Sequence, residues 1–179
     1  MILQSFPHMR YCLALISAPY IIEGPAGTGK TMCVCEAVLQ TYLANPKLAK
    51  ILVCAPSDAA CDVLACRLLP LLPQKKLLRI NWWSRKVASV QPALLSSSPM
   101  TSTGDLFVVP SEHDMQHASV IVCQCFAAEI LTLLSRPPQW THLFIDEASQ
   151  AMEAEVLVPI TKVSVAVMKT KWHTFPLVF

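Results

Sequence analysis

Three groups of residues in this chain have types and spacings suited to chemistry. The first is Gly24-Pro25-Ala26-Gly27-Thr28-Gly29-Lys30-Thr31, which fits the pattern G-x-x-x-x-G-K-S/T. Phosphate needs donors at close range. Glycines let a backbone wrap it with N–H groups, and a following helix N-terminus adds partial positive charge. In such a loop Lys30 reaches the β- and γ-phosphates of a nucleotide, and the Thr31 hydroxyl holds Mg²⁺. The second group is Asp146-Glu147, directly after the apolar run Leu143-Phe144-Ile145. Strand C-terminal ends form the ligand crevice of a parallel sheet, so this pair is expected to face the same phosphates. Asp146 would hold Mg²⁺ through water, and Glu147 would orient or deprotonate the attacking water. The third is Trp82-Trp83, followed by Arg85-Lys86. It reads either as a base-stacking platform or, as adjacent aromatics more often do, as packing residues.

These groups need elements to hold them, and the chain alternates strand and helix. Pro19-Tyr20-Ile21-Ile22 reads as a short strand and Lys30 to Leu43 as a helix ended by Asn45-Pro46. Lys50 to Cys54 reads as a buried strand, and about Asp58 to Leu69 as a helix. Strands are expected at Leu77–Ile80, Ser119–Gln124 and Leu143–Ile145, with helices at Ala127–Leu134 and about Ser149–Leu157. Buried apolar strands separated by helices predict an α/β fold with a mostly parallel sheet covered on both faces. Residues 82–117 hold Ser96-Ser97-Ser98, Pro99 and Thr101-Ser102-Thr103-Gly104, which predicts a mobile surface insertion. The tail from Lys162 shows no clear period.

Composition narrows the class. At 179 residues the chain suits one domain, and a charged fraction of 15% against 54% hydrophobic argues against wholesale disorder. The formal net charge of +2 is too small to signal nucleic-acid binding by bulk electrostatics, though a local basic stripe would suffice. Three of only four glycines fall in the Gly24–Gly29 loop, which implies unusual backbone geometry there. Eight cysteines contain no C-x-x-C pair, so they read as small buried hydrophobes rather than zinc ligands or disulfides. No apolar run is long enough to span a membrane. A leader cleaved after Ala18 would leave almost nothing ahead of the loop, so the expected compartment is intracellular, the cytoplasm before the nucleus.

The loop, Ala55-Pro56-Ser57-Asp58-Ala59-Ala60-Cys61-Asp62 and Asp146-Glu147-Ala148-Ser149-Gln150-Ala151 occur in that order. Together they resemble motifs I, Ia and II of superfamily 1 RNA helicases of the nonsense-mediated-decay type, on the Armitage-like branch linked to RNA silencing. Arg79-Ile80-Asn81 with Arg85, and Ser119 to Cys123 leading into Ala127-Ala128, support the likeness. It covers residues 18–161 as a RecA-like ATP-binding domain, between a lead-in at 1–17 and a divergent tail at 162–179.

The resemblance implies ATP and Mg²⁺ as cofactors, with Gly24 to Thr31 and Gln150 around the nucleotide and Lys30 and Glu147 in catalysis. Ser57 and Asp58 would touch single-stranded RNA, with DNA left open, and Gln150 would couple the γ-phosphate to that groove. Gln4 would correspond to an adenine-reading glutamine. RNA-silencing or mRNA-decay proteins are the implied partners, with no membrane. Three departures stand out. Asp58 replaces an asparagine, which would repel RNA phosphates; Cys123 and Gln124 replace threonine-type nucleic-acid contacts; Ala26 replaces a proline. The family continues to a G-D-x-x-Q-L motif and a second RecA-like half with an arginine finger. This chain alone is therefore expected to bind ATP without unwinding a duplex. The alternative is a non-catalytic nucleotide-binding module. A GTPase is disfavoured, because N-K-x-D is absent.

Overall fold

A computed structural model describes residues 21–25 and 27–163. The order is α1 (Lys30–Ala44), β1 (Ile51–Ala55), α2 (Asp58–Leu68), β2 (Leu77–Arg79), α3 (Pro92–Leu95), α4 (Glu112–His117), β3 (Val120–Gln124), β4 (His142–Ile145) and α5 (Glu153–Lys162). The four strands form one sheet in the order β2-β3-β1-β4, and every pairing is parallel. The doubly covered α/β fold expected from the alternation is the one observed.

Alternation along each strand explains the two cores. Ile51, Val53 and Ala55 of β1 point with Val120 and Val122 of β3 to the face covered by α1 and α2. Leu52 and Cys54 point with Ile121 and Cys123 to the other face, against Ile130, Leu131 and Trp140. Every residue of β1 is buried, as a central parallel strand requires. On α1, Val34, Val38 and Tyr42 recur every four residues and form its buried stripe. Cys54 and Cys123 are fully buried, with their sulfurs 3.8 Å apart. Burial pushes the Cys54 thiol up, and hydrogen bonds from neighbouring thiols push the same way. The seven cysteines among the described residues are free thiols, and Cys54, Cys61, Cys123 and Cys125 behave as packing residues. Cys123 is thus a core residue of β3 rather than a nucleic-acid contact.

Several local expectations need correction. Ile21 and Ile22 are not in a strand, while Pro19 and Tyr20 lie outside the described residues. Phe126–Leu133 winds as a 3-10 helix, where the Thr132 hydroxyl donates to the Glu129 carbonyl at 2.6 Å. The helix expected from Ser149 begins only at Glu153. A 3-10 turn at Ala148–Gln150 comes first, and the Met152 N–H then donates to the Glu155 carboxylate. Lys162 closes α5, and Val163 bridges to Trp140. No helix among the described residues is long and apolar enough to cross a membrane.

The segment 82–117 is the largest correction. Val90, Leu94, Phe107 and Met115 are all buried, so it supplies core. Its serines read as loop because they are polar, but here they serve an exposed sheet edge. The Ser97 carbonyl accepts the Arg79 N–H of β2 at 2.8 Å, and the Ser98 hydroxyl accepts from Asn81 at 3.1 Å. Covering an edge strand this way satisfies its free backbone groups. The turn Thr101–Asp105 matches the surface reading, with Gly104 at a φ of 75°, and so do exposed side chains such as Trp83, Leu106 and Val108. Leu94 is fully buried on α3. Leu94→Ala should therefore destabilise the protein by about 2–5 kcal/mol, read as a lower urea midpoint at unchanged slope. A shift no larger than that of an exposed-leucine control such as Leu106→Ala would return the segment to the surface.

Candidate functional site

The Gly24–Thr31 loop is shaped by its glycines where the chain enters α1. Gly29, the N-cap, sits at a φ of 85° and Gly27 at 76°, which an L side chain adopts only with strain. Gly29 offers no capping side chain, and the first turn of α1 holds no acidic residue. The first N–H groups of the helix therefore remain available to an anion. Lys30 folds back across the loop, donating to the Gly24 carbonyl at 2.6 Å and the Pro25 carbonyl at 2.7 Å. Thr28 donates to the same Pro25 carbonyl at 2.8 Å. The loop thus closes on itself around a lysine ammonium. Ala26 and Gln4 lie outside the described residues.

The carboxylates arrive from β4. The Asp146 N–H donates to the Cys54 carbonyl at 2.9 Å, continuing the β1–β4 ladder one rung beyond the strand. The Asp146 side chain is 7% exposed, and its Oδ1 accepts the Glu147 N–H at 3.0 Å. Glu147 adopts a φ of 53°, the left-handed region that non-glycine residues seldom occupy. That turn breaks the strand direction immediately after Asp146 and leaves Glu147 exposed.

A cleft of about 250 Å³ joins these parts, lined by Thr31, Ser57, Ala59, Ala60, Val63, Asp146 and Glu147. Thr31, Asp146 and Glu147 thus meet in one place, as their expected shared role requires. The Thr31 hydroxyl and Asp146 carboxylate are hard oxygen donors of the kind Mg²⁺ prefers, so the residues fit that ion. Gln150 is exposed on the 3-10 turn after Glu147 and does not line the cleft. Helix α2 contributes Ala59, Ala60 and Val63, which nothing in their own chemistry marked in advance. Ala59 and Ala60 were visible only as part of the Ala55–Asp62 stretch, and Val63 lies one helical turn beyond them.

Ser57 is exposed at the N-terminus of α2, where its hydroxyl accepts the Ala60 N–H at 3.2 Å. Asp58 is placed differently from the expectation that it would repel RNA as a bare charge. Its carboxylate accepts from Arg79 Nη2 at 2.7 Å and lies 3.3 Å from Arg85 Nη1. Asp62, one turn on, accepts from Arg79 Nε at 2.9 Å and from Arg85 Nη2 at 2.6 Å. Two like charges at i and i+4 destabilise a helix unless compensated, and two guanidiniums compensate these. Arg79 itself is fully buried, with Nη1 donating to the Ile80 carbonyl at 2.6 Å. The role of Arg79 and Arg85 was not legible from their types alone. Trp82 packs between Phe126 and Trp83, at ring-centroid distances of 5.0 and 3.8 Å, while Trp83 remains 50% exposed.

A family model described as an AAA domain matches residues 11–105. RNA helicase Mov10l1 of Mus musculus is 36% identical over 152 residues, which is 82% of this chain and 12% of that protein. Putative helicase MOV-10 of Gallus gallus is 34% identical over 144 residues, covering 80% of this chain and 15% of its own length. The human probable helicase with zinc finger domain is 32% identical over 154 residues, 83% of this chain and 8% of its own length. The chain belongs to the AAA domain family, on its superfamily 1 helicase branch. It spans roughly an eighth of the relatives it matches, 12% and 11% for the two Mov10l1 proteins. In this AAA domain the matched region takes in the phosphate loop, α2 and both arginines of the ion cluster.

The cluster sets a pH dependence for the AAA domain. Burial alone would raise the Asp62 carboxyl, but Arg85 and Arg79 outweigh it and hold the group below its ordinary 3.8. The unfolded chain then binds this proton more readily than the folded one. The stabilisation is fully present above the unfolded value and is lost as pH falls through the lower folded value. Urea unfolding of the wild type should therefore lose stability steeply below about pH 4, and Asp62→Asn should lose less over the same range. Parallel pH profiles for the two proteins would contradict this account.

Proposed function

We propose that this AAA domain binds ATP with Mg²⁺ and is the first RecA-like half of an ATP-dependent RNA helicase acting on single-stranded RNA in the cytoplasm. The meeting of Thr31, Asp146 and Glu147 in one cleft, beside the Gly24–Lys30 loop and the Ser57 end of α2, carries this reading. In it, the N–H groups of the loop and the first turn of α1 receive the phosphates. The Lys30 ammonium swings from its loop carbonyls to phosphate oxygens. Thr31 and Asp146 would hold Mg²⁺, which when bound would neutralise charge on the phosphate oxygens. The exposed Glu147 carboxylate orients a water and accepts its proton. Ser57 meets the nucleic-acid backbone, and Gln150, on the turn after Glu147, links the two sites. Names of the relatives support the helicase assignment, and the partners in this reading are RNA-silencing or mRNA-decay proteins.

Two variants test the ATP reading. Lys30→Ala removes a charged donor to phosphate and should weaken binding of a fluorescent ATP analogue roughly ten- to hundred-fold. Equal affinities would remove Lys30 from the site. Glu147→Gln should bind the analogue as the wild type does while losing whatever phosphate release the wild type shows. Undiminished release by that variant would place the base elsewhere.

A further inference from the structure

The ion cluster lies on one side of α2 and the cleft on another. Ala59, Ala60 and Val63 line the cleft with Ser57, whereas Asp58 and Asp62 turn toward Arg79 and Arg85. Two carboxylates and two guanidiniums give this cluster no net charge. Arg79 is sealed inside, fully buried and held by both aspartates and the Ile80 carbonyl. Arg85 is the outer member. It grips Asp62 through both carboxylate oxygens, at 3.0 and 2.6 Å, and also donates to Asn81 at 2.6 Å. Asp58 is the only one of the four whose side chain is substantially exposed, at 30%.

The geometry points to Arg85 as a positioning residue for single-stranded RNA: it cancels the negative charge of the Asp58–Asp62 pair, so that the N-terminal end of α2 at Ser57 accepts a phosphate. This inference rests on the proposed RNA reading of Ser57. Arg79 alone cannot do this work, because one guanidinium shared between two carboxylates leaves a net charge of −1 next to Ser57. With Arg85 gone, Asp62 loses its two-point partner and competes with Asp58 for Arg79. The Asp58 carboxylate, already partly in solvent, then presents unbalanced charge to an approaching phosphate. Lysine at position 85 would keep the charge but lose the two-point grip on Asp62.

The test uses the whole chain and a fluorescein-labelled oligouridylate, with anisotropy read across a salt series. Arg85→Met should weaken binding roughly two- to ten-fold at low ionic strength, with the loss shrinking as salt rises. Arg85→Lys should recover most of that affinity. Adding Asp58→Asn to Arg85→Met restores neutrality, so it should recover affinity more than Asp58→Asn improves the wild type. A purely structural loss would not be rescued by deleting a second member of the cluster. ATP-analogue affinity and urea midpoint, measured alongside, identify a variant that has not folded. If Arg85→Met does not fold, Asp62→Asn serves instead: it leaves a net +1 and should tighten binding with a steeper salt slope. A wild type that fails to bind the oligouridylate would sink the RNA reading and this inference with it. Binding that ignores Arg85→Met, or no coupling with Asp58→Asn, would overturn the inference alone.

Discussion

Pairing of β1 with its two neighbours is the constraint on which the site depends. β1 is buried along its whole length and runs parallel to β3 on one side and β4 on the other. Parallel strands end at the same edge, so the chain leaving β1 toward Ser57 and the chain leaving β4 at Asp146 emerge side by side. The Asp146–Cys54 hydrogen bond carries that alignment past the last strand residue to the carboxylate itself. A slip of one residue would turn Leu52 and Cys54 to the opposite core and carry Asp146 off the edge. The apolar packing of both faces therefore fixes where the polar chemistry sits.

Helix α2 translates this edge into a three-sided device. Cys61, Leu64, Ala65 and Leu68 face the core, Ser57, Ala59, Ala60 and Val63 face the cleft, and Asp58 and Asp62 face the arginines. Burying a guanidinium such as Arg79 is costly in isolation, and breaking such a pair typically costs about 3–5 kcal/mol because a charge is stranded. What the pairing gives in return is direction. Hydrogen bonds from planar guanidiniums have a fixed direction, which apolar contacts lack. The polar cluster and the apolar core thus act on the same helix from different sides.

The chain changes direction at the site through residues of positive φ. Gly27 and Gly29 curve the phosphate loop, and Glu147 takes up a left-handed conformation despite its side chain. For a residue with a side chain, that conformation costs on the order of 1–3 kcal/mol and persists only where surrounding structure over-determines it. At Glu147 the over-determination comes from Asp146, whose side chain accepts the Glu147 N–H while its own N–H is tied to β1.

Some of this was legible in residue order alone. The Gly24–Thr31 loop, the apolar run ending in Asp146-Glu147 and the alternation of strand and helix were readable because covalent spacing and short-range sterics determine them. The same holds for the helicase kinship, carried by three short motifs in order. The tertiary structure decided the rest. Ser96-Ser97-Ser98 looks like loop in sequence, yet the Ser97 carbonyl and Ser98 hydroxyl cover a strand edge that only the folded sheet creates. Asp58 looks like a lone charge, yet its partners lie 21 residues away at Arg79 and further on at Arg85. A side chain's local type states what it can bond to. Which of its options it takes depends on which distant groups packing brings within about 3 Å, and that is information no window of sequence contains.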